Sequence, residues 1–169
     1  MLNVWGRPPR GARVVRSITT AILLLVAAGA SAAPEADRRL TKALDRARLT
    51  HEVDGQGDIR VSFLTGEGRS QMVVVRSATT AFGSLDMREL VSAAYRSATM
   101  ALPGEVANRL LDLNARARLG GWSRQGPMAV LITRIPAQAD AKELADALEY
   151  TARAADAAER ELNGGKDEY

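Results

Sequence analysis

Side chains able to do chemistry are few in this sequence, and their spacing organises none of the familiar sites. His51 is the only histidine among 169 residues and there is no cysteine. A zinc site of imidazole and thiolate ligands therefore cannot be completed, and thiol chemistry and disulfide stapling drop out with it. His51 stands beside Glu52 ahead of a turn, which suits a strand-edge or turn residue. Serines are numerous, yet none sits in a Gly-x-Ser-x-Gly elbow, and one histidine is thin support for a triad. Asp54 and Asp58 flank two glycines without the carboxylate count and closing glutamate of a calcium loop. Gly66-Glu67-Gly68 and Gly120-Gly121 lack the spacing and the Lys-Ser/Thr of a phosphate loop. The expectation is no catalytic residue, no cofactor and no metal.

What remains are side chains suited to contact. Trp122 follows two glycines that let another backbone or a ligand come close. It reads either as an aromatic filling space between sheet and helix or as an anchor for a partner, tryptophan being enriched at interface hot spots. Asn114 falls near a helix end, where its amide can satisfy backbone groups. Leu64 and Tyr95 join Trp122 as candidate partner-binding residues.

The amino terminus carries an address. Arg7, Arg10, Arg13 and Arg16 precede any acidic residue, and Ala21 to Ala28 is an apolar core of about eight residues, the length of a signal h-region. Ala30-Ser31-Ala32 matches the small-x-small cleavage pattern, with the cut before Ala33. The apolar run is short against the ~20 residues that span a bilayer. The expectation is a cleaved signal peptide over 1–32, a periplasmic or secreted product, and no stable membrane anchor after cleavage.

Removing the leader changes the charge argument. The whole chain holds 23 Lys+Arg against 20 Asp+Glu, a net +3. Four of the arginines belong to the leader, so the remainder has 19 against 20, or −1. Nucleic-acid binding needs basic residues concentrated on the functional domain, and that excess is missing. Nucleic acid is not an expected partner. Without cysteine, stability must come from a hydrophobic core, and the remaining chain is long enough for one domain.

The elements follow from periodicity. A first helix is expected over Pro34 to Leu49, with Leu40, Leu44 and Ala47 on one stripe. Ile59, Val61 and Phe63 alternate with polar residues in a strand up to Thr65. Gly66-Glu67-Gly68 then turns the chain into a second strand, Gln71 to Arg76, a hairpin signal. Ala78 to Ser84 reads as a loop. Met87 to Tyr95 fits both periods, helix through Met87, Val91 and Ala94, or strand with Met87, Glu89, Val91, Ala93 and Tyr95 on one face. The strand, paired with Gln71–Arg76, is preferred.

Pro103-Gly104-Glu105 opens a helix with Val106, Leu110 and Leu113 inward and Leu111 adding width. Strands are expected over Leu119 to Trp122 and Met128 to Ile135, the second buried and central. Asp140 with Glu143 makes a capping-box-like start to the last helix. Leu144, Leu148, Ala152, Ala155 and Leu162 form its stripe, Glu149–Arg153 and Asp156–Arg160 lie on its wet face, and Asn163-Gly164-Gly165 ends it. Residues 164–169 read as a flexible charged tail. The whole is α+β, an antiparallel sheet of about five to six strands packed by an N-terminal, a central and a C-terminal helix, in one domain over 33–163.

Leu110-Leu111-Asp112-Leu113-Asn114 followed by Leu119-Gly120-Gly121-Trp122, an apolar strand ending in Ile135-Pro136 and an alanine-rich terminal helix resembles the YbjN-like family. That family's fold is similar to that of type III secretion chaperones. The resemblance runs from about Arg60 to Leu162. It implies protein interaction or a regulatory role and brings no catalytic residues. The export signal departs from the family's cytoplasmic members. The resulting expectation is an exported, non-enzymatic protein-binding or chaperone-like domain of the bacterial envelope. Its partner would be a protein or peptide, or a second copy in a homodimer. The alternative is a small exported hydrolase whose site the sequence does not display. If one sheet face is left without helices, Leu64 and either Val73 or Val75 would lie on it.

Overall fold

A computed structural model describes residues 35–169; the expected leader, its cleavage point and Pro34 lie outside the described residues. Nine elements follow in order: α1 (Arg38–Ala47), β1 (Glu52–Val53), β2 (Ile59–Gly66), β3 (Arg69–Phe82), β4 (Leu85–Arg96), α2 (Gly104–Asn114), β5 (Gly121–Gln125), β6 (Met128–Pro136) and α3 (Ala141–Leu162). The strands form one antiparallel sheet in the order β1-β2-β3-β4-β6-β5. The α+β expectation, with a helix N-terminal, central and C-terminal, is met.

Period-2 alternation sends Ile59, Val61, Val73, Val75, Leu90 and Ile135 to one face, where they meet Leu40 and Leu44 of α1 and Leu144, Ala147, Leu148 and Ala152 of α3. Each fully buried aliphatic side chain here contributes about 1.5–3 kcal/mol. A smaller cluster on the same face joins Val106 and Leu110 of α2 to Ala129, with Tyr95 and Trp122 half-buried against them. Across the layer, the hydroxyls of Thr151 and Thr133 are hydrogen-bonded at 2.8 Å, Thr151 itself donating to the Ala147 carbonyl at 2.7 Å. That bond settles which face of β6 meets α3. Val91, Val130 and Ile132 have the opposite parity and make a separate cluster on the other face.

Several expectations change. α1 begins at Arg38, because Asp37 caps it by accepting from the backbone N–H of Arg39 at 2.9 Å. The expected loop from Ala78 to Ser84 is a continuing hairpin: β3 runs to Phe82, and Gly83-Ser84 alone turns it into β4. β3 reaches that far through a bulge between Val75 and Thr79. The carbonyls freed there are not orphaned, because Arg88 Nη1 donates to those of Arg76 at 2.6 Å and Ser77 at 2.9 Å. Apart from Phe82, residues 78–84 are small or polar, so no apolar alternation announced the strand. Met87 to Tyr95 is strand, inside β4. Leu111 is 65% exposed and widens nothing, and β5 begins at Gly121 and runs on to Gln125. Val73 and Val75 both belong to the core, and Met72 and Val74 take the outer face in their place.

The capping box of α3 is present in full, with Glu143 accepting from the N–H of Asp140 at 2.9 Å. Its expected wet face is only partly wet, since Asp156 is buried.

Candidate functional site

Three places gather polar or exposed groups: the end where α3 meets the β2–β3 hairpin, the edges of the sheet, and the base of α1. The first is the most charged. Arg69 opens β3 on the helix-facing side and is itself buried. Its Nε donates to Asp156 Oδ1 at 2.6 Å, its Nη2 to Glu159 Oε2 at 3.0 Å and its Nη1 to the Gly165 carbonyl at 3.0 Å. Asp167 lies 3.6 Å away. Asp156, Glu159 and Asp167 are close enough together to suggest a cation site, but the Arg69 guanidinium already stands among them as the counter-charge. Burial pushes Glu159 above its usual range, against the Glu168 N–H and Arg69. Burial pushes Asp156 the same way, but the hydrogen bond from Arg69, with the charges of Arg69 and Arg160, holds it below its ordinary value. These opposed shifts describe a structural clasp, with no uncommitted base or nucleophile in it.

The clasp also ties down the chain end. The Glu168 N–H donates to Glu159 Oε1 at 2.6 Å and the Ser70 N–H to Asp167 Oδ2 at 3.3 Å. Residues 164–169, expected to be flexible, are docked on the hairpin. Sequence reading missed Arg69 because its partners lie 87 and 90 residues away.

The sheet edges differ in how they are closed. At β5, the Trp122 N–H donates to Asn114 Oδ1 at 2.5 Å, and Asn114 Nδ2 donates back to the Trp122 carbonyl at 3.3 Å. The amide of Asn114 thus stands where the next strand would pair. Its expected capping role is exercised on β5, while the helix end itself closes through the backbone of Ala115. Gly120 explains the glycine pair beside the tryptophan. It has φ +75°, and a Cβ there would lie 1.9 Å from the Ile132 carbonyl oxygen.

At the opposite edge, β1 pairs only Glu52 with Arg60 and Val53 with Ile59. Among the described residues no strand pairs the outer side of β2 from Val61 to Gly66. Leu64 lies on that stretch with 86% of its surface exposed. The β3–β4 turn adds Phe82 and Leu85, paired with each other and both exposed.

The three candidate contact residues therefore separate. Leu64 is on the outer face, as expected. Trp122 sits on the helix-facing side under α2, packed with Val106, Leu110 and Leu113. Tyr95 was grouped with Val91 and Ala93, but a bulge pairs Ala93 with Val130 and Tyr95 with the next residue, Ala129. The extra residue, Ala94, turns Tyr95 to the helix-facing side. The carbonyls of this bulge are also held by side chains, Ala93 by Gln71 Nε2 at 2.8 Å and Ala94 by Asn163 Nδ2 at 3.4 Å.

His51 Nδ1 lies 3.0 Å from the Leu49 carbonyl in the turn before β1. Asp54 accepts from the N–H groups of Gln56 at 2.8 Å and Asp58 at 3.1 Å, and Asp58 from that of Ser77 at 2.9 Å. They organise turns. No protein-family model, curated protein or solved structure matches this chain.

Proposed function

We propose that this chain is an exported, non-enzymatic protein-binding domain of the bacterial envelope, working by strand addition at the outer edge of β2. The observation that carries the reading is the outer side of Val61–Gly66, which no strand among the described residues pairs, with Leu64 exposed on it. An extended segment laid there gains main-chain hydrogen bonds, and side-chain contacts such as that with Leu64 give selectivity. The contrast with β5 supports the same edge. Open strand edges are commonly closed against association, and Asn114 occupies the N–H and carbonyl of Trp122 on β5. A binding role is also favoured by the commitment of the buried charged groups to one another. The resemblance to the YbjN-like family points the same way, and the basic leader, apolar core and Ala30-Ser31-Ala32 support export.

The partner is a protein or peptide with an extended apolar segment, and a second copy offering its own β2 is one such partner. The test is a photocrosslinking amino acid placed at Leu64, with Ser123 on β5 as control, in cells exporting the protein. A defined adduct at Leu64 and none at Ser123 is expected, and light scattering of the purified chain tells a homodimer from a complex with another protein. Equal labelling at both positions, or none at either, would remove the case for the β2 edge.

A further inference from the structure

A separate cleft lies between α1 and the segment joining β6 to α3, with a volume of about 360 Å³. That is within the range of small-ligand sites. It is lined by the partly exposed Ala43, Ala139 and Ala141 and by the buried Leu40 and Leu144, while Lys42 and Arg46 stand at its rim on the exposed side of α1. We propose that this cleft binds a medium-chain carboxylate, its tail against the aliphatic wall and its head between Lys42 and Arg46.

The argument runs through which charges are already committed. Arg88 spends its guanidinium on the carbonyls of Arg76 and Ser77 and on Asp37 Oδ2, at 2.6 Å. Arg39 is paired with Asp37 at 2.9 Å. Asp140, the one carboxylate lining the cleft, is occupied in accepting from the N–H groups of Lys142 and Glu143. Of the four cations lining the cleft, Lys42 and Arg46 are the two with no carboxylate partner among the described residues. They stand four apart on one helix, where like charges repel, so an anion held between them relieves a standing repulsion. A bare inorganic anion would leave the aliphatic wall wet, and a neutral chain would leave the cations unanswered. The cleft fits a ligand that carries both parts.

The test is calorimetric titration of the full chain with sodium decanoate, with acetate and decanol as parallel arms. Saturable one-to-one binding of decanoate is expected, with neither acetate nor decanol binding over the same range. Lys42→Gln combined with Arg46→Gln should weaken decanoate at least tenfold. Both side chains are exposed, so the melting temperature of this variant should match the parent. Absence of saturable decanoate binding, equal binding of decanol, or an affinity unmoved by the double substitution would overturn the proposal. The inference does not depend on the β2 edge: Leu64→Asp should bind decanoate as the parent does.

Discussion

Arg69 holds two buried carboxylates at once, Asp156 at 2.6 Å and Glu159 at 3.0 Å. Leucine in its place fills space but leaves Glu159 buried with no ion-pair partner and Asp156 with Arg160 alone, at 3.3 Å. Breaking a buried pair from one side costs about 3–5 kcal/mol, so Arg69→Leu should lose about that much at pH 7. The sign of its pH dependence is diagnostic. In the parent, Asp37 and Asp156 titrate below their ordinary values, Asp37 chiefly through its hydrogen bond from the Arg39 side chain. The unfolded chain then binds more protons in acid, and their stabilisation is lost as pH falls below about 4. Glu159, raised by burial, works in the opposite sense. Without Arg69 the burial that raises Glu159 is opposed chiefly by the Glu168 N–H, so the native state holds its proton to higher pH and stability falls as pH rises through that titration. The deficit should therefore narrow between pH 7 and pH 5 in urea melts, and a constant deficit would assign the loss to packing. Gly120 gives a second test at this scale. Gly120→Ala meets both a left-handed backbone and a carbonyl oxygen 1.9 Å away, and should cost more than about 2 kcal/mol. Gly55→Ala has open space around it and should stay within about 0.5 kcal/mol on the same denaturation curves.

At the scale of elements, α1 is fastened to the sheet through one side chain with two tasks. Asp37 caps the helix and accepts from the buried Arg88 at 2.6 Å. Asparagine keeps the cap acceptor and removes the charge, whereas alanine removes both. Asp37→Ala should exceed Asp37→Asn in destabilisation by roughly the worth of a cap, about 1 kcal/mol, as read by thermal melts of the two variants. Equal losses would mean that the Arg88 pair alone holds the helix. This fastening also shows what the sequence could and could not convey. The stripe Leu40 and Leu44, the alternation through Ile59 and Val61, and the Asp140–Glu143 start of α3 are local patterns, and each was legible. The bulges in β3 and β4 were not, because each depends on a distant side chain reaching carbonyls that local pattern cannot mark. Arg88 serves the bulge in β3, and Gln71 with Asn163 serves the one in β4. The cost was a strand read as a loop and Tyr95 placed on the wrong face. Among the candidate contact residues, Leu64 was legible because the alternation of its strand is unbroken as far as that residue, the register shift falling after it, between Leu64 and Gly66. The cleft at α1 was not, since it exists only where α1 and the β6–α3 segment come together.

At the scale of the whole molecule, the remaining question is where export would divide the chain and what the division leaves intact. The contacts that begin the folded domain lie at and beyond Ala36, which is buried in the core cluster with Leu40 and Leu44. Asp37 follows, its N–H donating to Ser77 Oγ at 3.3 Å and its carboxylate held by Arg39 and Arg88. A cut before Ala33 removes none of these groups. It leaves Ala33, Pro34 and Glu35 ahead of the first core residue, and Pro34 inside the new terminus instead of at its first position. A cut after Ala36, by contrast, would delete a core contact and place a positive α-amino group on the capping residue itself. The protein recovered from the exported fraction should therefore begin at Ala33 by intact-mass measurement and melt within about 2 °C of the unprocessed chain, since every contact named among the described residues is kept. A retained Met1 with the protein in membranes would overturn the export reading. A start beyond Ala36 would separate Asp37 from its role at the head of α1.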